Sequence, residues 1–553
     1  MLVSILVVTG LFVTLGMLAL QFVITQNAAS RFRVDRERAI QIAEAGVDYY
    51  RWHLAHVPDD YQDGTGAAGP YVHTYKDATG NTLGTFSLEI TPPPSGSTVV
   101  TIKSTGQITN RPTSSRTVTV QQGIPSFTKW AVVANADIRF GVGTEVFGPI
   151  HSNGGIRFDG LAHNLVSSYR YSYDDPDHTG SNELGVHTHV TPLDAIPPVT
   201  PPATIASRPD VFAVGRQVQA NFVDFNSISV DMQAMKTKAS ANGIYVLPSG
   251  GQGYHITFRQ DGKVDMRIVN TQLRCQYRSG AQWRDYGYCS NNYNLTCTQN
   301  SNCTSGATCI QSSHSIGTRA ADQAAFTYQS ASSLGVPIPA NGLIFIEDDA
   351  WVDGVVPNGT RLTLVAAKEP LASGLANIYL DKDLTYGRYC NNATQNACSL
   401  DSECTGGATC VDVSNGTSAV GLITQQNILV GYFSENNLRL DAALIAQNGR
   451  VGRPNFGASG SSYQLYPTGS PLPNGGGGEN SCDDFRSRSL ITTFGAIATN
   501  QRYGFAWTGG SFCNSSSSGY CDRTLNFDAN LTYAPPPDFP TTGQYEALSW
   551  EEQ

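Results

Sequence analysis

Four carboxylates crowd into the string IFIEDDAWVDG: Glu347, Asp348, Asp349 and Asp353. Two such groups held at different pKa values act as acid and base on a glycosidic bond, the chemistry of enzymes that cleave polysaccharides. A solvent-facing acidic turn is the competing reading of the same string. YDDPDHTG gathers Asp174, Asp175 and Asp177, hard oxygen ligands of the kind calcium takes. Their spacing is not that of a regular calcium loop, so an ordinary acidic turn competes here too. His187 and His189 alternate in HTH, and on a strand they would share one side. That is compatible with a metal, although two imidazoles without a third ligand make an incomplete set. No G-x-S-x-G, H-E-x-x-H, Walker loop or strand-to-helix G-x-G-x-x-G is present. The residues therefore indicate no catalytic group, and no cofactor other than a structural calcium at Asp174, Asp175 and Asp177.

Sulfur chemistry is more sharply written. Eight of the twelve cysteines fall in two matching strings. YCSNNYNLTCTQNSNCTSGATCI holds Cys289, Cys297, Cys303 and Cys309, and YCNNATQNACSLDSECTGGATCV holds Cys390, Cys398, Cys404 and Cys410. Both read C-x7-C-x5-C-x5-C, and each cysteine of the second string lies 101 residues beyond its counterpart. Four cysteines so close together in a secreted body imply two disulfides per module, with three pairings open in each. Zinc is the weaker reading, because neither string contains a C-x2-C pair or a histidine. Cys513 and Cys521 are near enough to close a loop, which leaves Cys275 and Cys482 as the remaining pair.

The element that must position all of this is at the N-terminus. The first thirty residues carry no ionisable side chain, and the first is Arg31. Met1, Ile5, Leu11, Leu18 and Phe22 belong to an apolar run longer than the roughly 20 residues that cross a bilayer. A signal peptide would have a basic n-region and a shorter core, and a plain anchor would have basic flanks. A helix already trimmed ahead of Met1 accounts for the missing flank. From Asn27 to about Val57 the pattern turns amphipathic, with Ala39, Ala43, Gly46, Val47, Tyr50 and Leu54 on one face. One helix of about 55 residues, roughly 80 Å long, would join the two halves.

This helix, with AEAGVDYYRWHL at its polar end, resembles those of type IV pilins and pseudopilins, and most closely those of large minor pilins. The resemblance covers about the first 55 residues well and the next 70 loosely. It implies cleavage before the apolar helix, a membrane-held precursor, and assembly with other pilins through that helix. Major subunits of the family carry a glutamate at the fifth mature position, which pairs with a neighbour's N-terminal amine. Ile5 stands there instead. A buried amine left unpaired costs several kcal/mol. The departure therefore points to a tip or initiating subunit, which has no neighbour above it.

Beyond the helix, TFSLEITPP, STVVTIKSTGQIT and SSRTVTVQQ alternate as strands of a small antiparallel sheet. After Pro125 short β-runs end in Gly, Asn or Asp corners, as in WAVVANADIRF, RLTLVAAKEP and SLITTFGAIAT. These suggest solenoid rungs, with a sandwich as the alternative. A helix is expected over Val230–Ala241, and the Pro-rich segment 191–209 reads as an extended connection. With 55 glycines, 14% charged residues and a net charge of −10, the composition suits an extracellular β-rich protein. Only 35 residues are Lys or Arg and none cluster outside the helix, so no nucleic-acid partner is expected.

The expected fold is mainly β: a helix over 1–57, a pilin-like head over 58–125, and a β-rich passenger over 126–553 with Cys-rich inserts at 288–310 and 389–411. The expected function is that of a tip minor pilin presenting an adhesive passenger at the cell surface, with a host-surface or glycan ligand. The alternatives are a membrane-tethered polysaccharide-degrading enzyme and an anchored adhesin that never polymerises.

Overall fold

The computed structural model describes residues 1–109, 111–199, 204–225, 232–270, 301, 303, 332–371, 374–390, 404–411, 418–431, 434–454, 487–507 and 518–553. It also describes short strands between 273 and 297 and at 309–311, 393–398 and 463–467. The chain divides into two units, Met1–Pro125 with Gly543–Gln553, and Ser126–Thr542.

The first unit is built on α1 (Leu2–His56), a single unbroken helix. Every residue before Asp35 is exposed, and the buried face begins at Ala39 and runs through Ile42, Ala43, Gly46, Val47, Tyr50 and Leu54. That is the amphipathic face expected from the sequence, with Ile42 added. It packs on an antiparallel sheet of β1 (Tyr71–Lys76), β2 (Thr82–Thr91), β3 (Val99–Ile108) and β4 (Arg111–Gly123). Phe86, Leu88, Val100, Ile102, Val118 and Val120 supply the sheet's half of this core. Small residues let helix and sheet approach closely. A Cβ on Gly46 would stand 2.3 Å from Ser104 Oγ, and one on Gly106 2.1 Å from the Ala39 carbonyl oxygen.

The fifth strand of this sheet comes from the far end of the chain. Glu546–Glu552 runs antiparallel to β4, with Val118 opposite Glu552 and Gly123 opposite Glu546. Glu552 pairs with Arg116 of β4 and with Arg36 of α1. The expected passenger range of 126–553 thus includes a segment that pairs with the head's sheet. The physical reason is the open edge of β4: its unpaired amides and carbonyls take a returning strand, and EALSWEE supplies one.

The core of the second unit is built of strands stacked in parallel register, with antiparallel pairs such as Gly253–Arg259 with Lys263–Val269 beside them. One ladder runs Ile244, Ile344, Leu364, Leu422, Leu444, Ile497, Val132, Ile150 and Val166. A second runs Leu384, Leu440, Thr493, Leu525, Val146 and Ala162. A third runs Ala350, Ile378, Ile428 and Val451. Stacked aliphatic side chains from successive rungs form one continuous core. Of the two body architectures expected from the sequence, parallel rungs fit the solenoid-like one, since sandwiches pair strands antiparallel.

The rungs do not follow chain order. The chain starts in mid-ladder at Val132, descends through Ile150 and Val166 to Arg216, and resumes at the other end at Ile244. It then returns rung by rung until Ile497 stacks on Val132. The body's two ends consequently meet: Ser126 bridges Thr541, and the Phe127 amide donates to the Pro540 carbonyl at 3.2 Å. The expected helix is present as α2 (Met232–Asn242), burying Met232, Met235 and Ala239 beside Leu343 and Phe345.

The two cysteine modules fold alike. Gly287–Cys289 pairs with Asn292–Cys297 and Cys309–Gln311, and Arg388–Cys390 with Ala393–Cys398 and Cys410–Val411. Cys289 faces Cys309 just as Cys390 faces Cys410. Cys390 and Cys404 form a disulfide, first to third in the motif. Cys303, Cys410 and Cys521 are also disulfide-bonded. Cys482 and Cys513 lie outside the described residues, so the pairings expected for Cys275 and Cys521 do too.

Candidate functional site

The carboxylates of IFIEDDAWVDG are brought onto adjoining rungs, where basic and hydroxyl side chains meet each of them. Glu347 accepts from the Tyr245 hydroxyl at 2.8 Å and pairs with Lys236. Asp348 Oδ2 accepts from the Ser249 amide at 3.0 Å and from its hydroxyl at 2.5 Å. Asp349 pairs with Lys368 at 2.9 Å and accepts from the Asn377 amide. Burial pushes its carboxyl above the usual range, against the opposing pull of Lys368. Asp353 meets His255 Nε2 at 2.7 Å. Every member is engaged in a bond that ties one rung to another, which is how buried charges are accommodated in a packed body.

A denser cluster forms around the second acidic string. Ser172–Tyr173 pairs antiparallel with Glu183–Leu184, so the chain doubles back and sets Tyr173 opposite Glu183. Gly185 permits the next step, because a Cβ there would stand 1.9 Å from the Arg170 carbonyl oxygen. Val186–His187 then lies parallel to Ile156–Arg157, setting His187 opposite Arg157. The following residues are pinned from outside. Asp159 Oδ1 accepts from the His189 amide at 2.9 Å, and Asp194 Oδ2 accepts from the Thr188 amide at 2.8 Å. Asp194 is itself held by both terminal nitrogens of Arg216, at 2.6 and 2.7 Å.

Two sets of potential ligand atoms result. Asp175, His187 and His189 have ligand atoms within 4.8 Å of one another, and so do His178, Glu183 and His189. His187 is 0% exposed. Its Nδ1–H donates to the Leu184 carbonyl at 3.2 Å, and its Nε2, 3.5 Å from Asp175 Oδ2, has no hydrogen-bond partner. Burial opposes ionisation of Asp175, but His187, the Asp177 amide and Arg157 outweigh it and hold the carboxyl well below the usual range. Burial, with Arg157 beside it, pushes the His189 imidazole below its ordinary value.

The three aspartates of the expected calcium site are distributed differently. Asp174 is exposed, and Asp177 pairs with Arg502 and, at 3.7 Å, with Arg139. Only Asp175 enters a ligand group among the described residues, and its companions are imidazoles. The HTH string signalled the two histidines. Glu183 and His178 carried no signal, because their approach depends on the turn between them.

On α1, Ile5, Leu11, Leu18 and Phe22 are all exposed, and none of the apolar membrane-length window is buried. Among the described residues this is the one helix long and apolar enough to cross a membrane.

The fold class these elements define is mainly β, with a long N-terminal helix, a small antiparallel sheet and a large β body. No protein-family model matches the chain, and no curated protein matches it. Among solved structures it is similar to the crystal structure of the competence-associated pilin ComZ from Thermus thermophilus. The two share 11% identity at a TM-score of 0.26, over 94% of this chain and 98% of that one.

Proposed function

We propose that this chain is a pilin-like subunit. The apolar half of α1 lies in the bilayer before assembly and packs among the equivalent helices of other pilins afterwards, while the head and body stand at the cell surface. One observation carries this reading: α1 is continuous from Leu2 to His56, yet it buries nothing before residue 39. The 17 large apolar side chains exposed between Met1 and Ile24 would be a severe aggregation hazard in water, so that half of the helix is built for lipid or for other helices. The packed half, clasped by its own sheet, keeps the body joined to it.

The size of the body bears on where such a subunit sits. Packed helices approach to about 8–10 Å, whereas a domain as long as Ser126–Thr542 has a radius of gyration of about 22 Å. Adjacent copies along a shaft would crowd one another, which favours a tip or sparse position, and from there the body would act as an adhesin toward a surface or glycan. The reading requires no catalysis.

The test is site-directed crosslinking in cells that co-express a major pilin. Cysteines at Leu11 or Leu18 should crosslink to the partner's helix in sheared filaments, and immunogold against the body should label filament ends. Crosslinks confined to the membrane fraction, with unlabelled filaments, would favour an anchored adhesin that never polymerises.

A further inference from the structure

We propose that Asp175, His187 and His189 bind one divalent transition-metal ion of the zinc class, which clamps the segment from Ser172 to Val190 within the body. The decisive atom is His187 Nε2. Nδ1 donates to the Leu184 carbonyl at 3.2 Å, so Nε2 is the ring atom left over for a ligand. It is completely buried, has no hydrogen-bond partner and stands 3.5 Å from Asp175 Oδ2. A cation between these two atoms would engage both.

The spacing of the two groups is wider than that of a directly bonded histidine–aspartate pair. The body contains such a pair for comparison: His255 Nε2 meets Asp353 Oδ2 at 2.7 Å. The His187–Asp175 separation is longer by more than half an ångström. It is close to the roughly 3.4 Å between ligand atoms around a tetrahedral ion bound at about 2.0–2.1 Å. His189 supplies the third ligand. Glu183 Oε1, 3.7 Å from His189 Nε2, offers a fourth.

The donor set selects the ion. Two imidazoles and a carboxylate suit zinc and its first-row neighbours, while calcium takes oxygen ligands. Arg157 stands 3.4 Å from Asp175, and its own charge is answered by Asp159 at 2.8 Å. Asp159 and Asp194 hold the backbone on either side of the histidines, so the site is supported beyond its ligands.

The experiment uses the full chain in detergent, stripped with a chelator and titrated with Zn2+ against a chromogenic competitor, and with Co2+ for its visible spectrum. The expected result is one ion per chain, a rise in Tm with Zn2+ but none with Ca2+, and a cobalt spectrum without a thiolate charge-transfer band. His189→Gln should weaken Zn2+ binding by roughly 100-fold or more, and Asp174→Asn should leave it unchanged. His187→Ala alters a fully buried position, so His189→Gln, on a half-buried ring, is the primary variant. The proposal is overturned if the native chain takes up no stoichiometric Zn2+, if His189→Gln binds as tightly as the native chain, or if thiolates supply the ligands.

Discussion

Ile497 lies in parallel register with Val132, so the last rung of the body stacks directly on its first. The ladder therefore exposes neither the rung at which the chain enters the body nor the rung at which it leaves. Its open ends are instead the strands near Arg216 and Ile244, which the chain reaches in mid-course. This arrangement brings Ser126 and Thr541 together and allows the whole body to be inserted between β4 and the strand Glu546–Glu552.

Excision should be tolerated where truncation is not. Gly123 already pairs with Glu546, so replacing 126–542 by a short Gly-Ser linker should leave the head folded. Removing Gly543–Gln553 instead strips β4 of its partner and Arg116 of Glu552. Hydrogen exchange at the Thr119 and Gln121 amides, which face Glu551 and Ser549 of the returning strand, is the measurement, with protection kept in the first variant and lost in the second.

Glycines of α1 and β3 should respond in opposite ways to an added methyl group. Gly106→Ala drives a Cβ into the Ala39 carbonyl and the Ala43 amide, at 2.1 and 2.5 Å. It should cost about 1–3 kcal/mol of head stability through forced separation of helix and sheet. Gly10→Ala meets nothing within 4 Å and should leave thermal unfolding of the head unchanged, while favouring the helix by roughly 1 kcal/mol.

Peptide mapping under non-reducing conditions should recover Cys390 joined to Cys404. The shared strand register extends the expectation to Cys289 with Cys303, leaving Cys297–Cys309 and Cys398–Cys410. A first-to-second or first-to-fourth pairing in either module would contradict it.

Acid should weaken the body through His151. The ring is buried between Ser167, 3.0 Å from Nδ1, and Asn153, and burial pushes its pKa down to about 4. Lys129 adds to that depression. Between the ordinary value of 6.5 and 4, the unfolded chain takes up a proton that the native state refuses. Stability is thus full above pH 6.5 and falls as the pH drops through that window, by on the order of 3 kcal/mol. His151→Gln should flatten that part of a denaturant-midpoint profile.

Much of the head was legible in the sequence, because its elements are long and amphipathic. Ala39, Ala43, Gly46, Val47, Tyr50 and Leu54 declare one helical face, and the alternating strings before Pro125 declare their strands. The body was legible in kind but not in order. Rungs such as Val132–Ala134 and Ile150–Ser152 are only three residues long and buried throughout, so nothing local tells Val132 that its neighbour is Ile497. The returning strand was hidden for a related reason. EALSWEE is exposed almost throughout, so it shows no alternation to distinguish it from a tail. The ligand cluster was half visible: HTH announces two imidazoles, but Asp175 joins them only because the chain doubles back between Tyr173 and Glu183.

The insertion of the body also has a mechanical consequence. A tail-mounted passenger would hang from one peptide chain, and tension on it could peel away a terminal strand. Here tension reaches the sheet through two neighbouring strands at once, at Gly123 and at Glu546, so the load is shared. The strand runs on from Glu546 to Glu552, which pairs with Arg116 and Arg36, so freeing it means breaking both its ladder to β4 and these ion pairs.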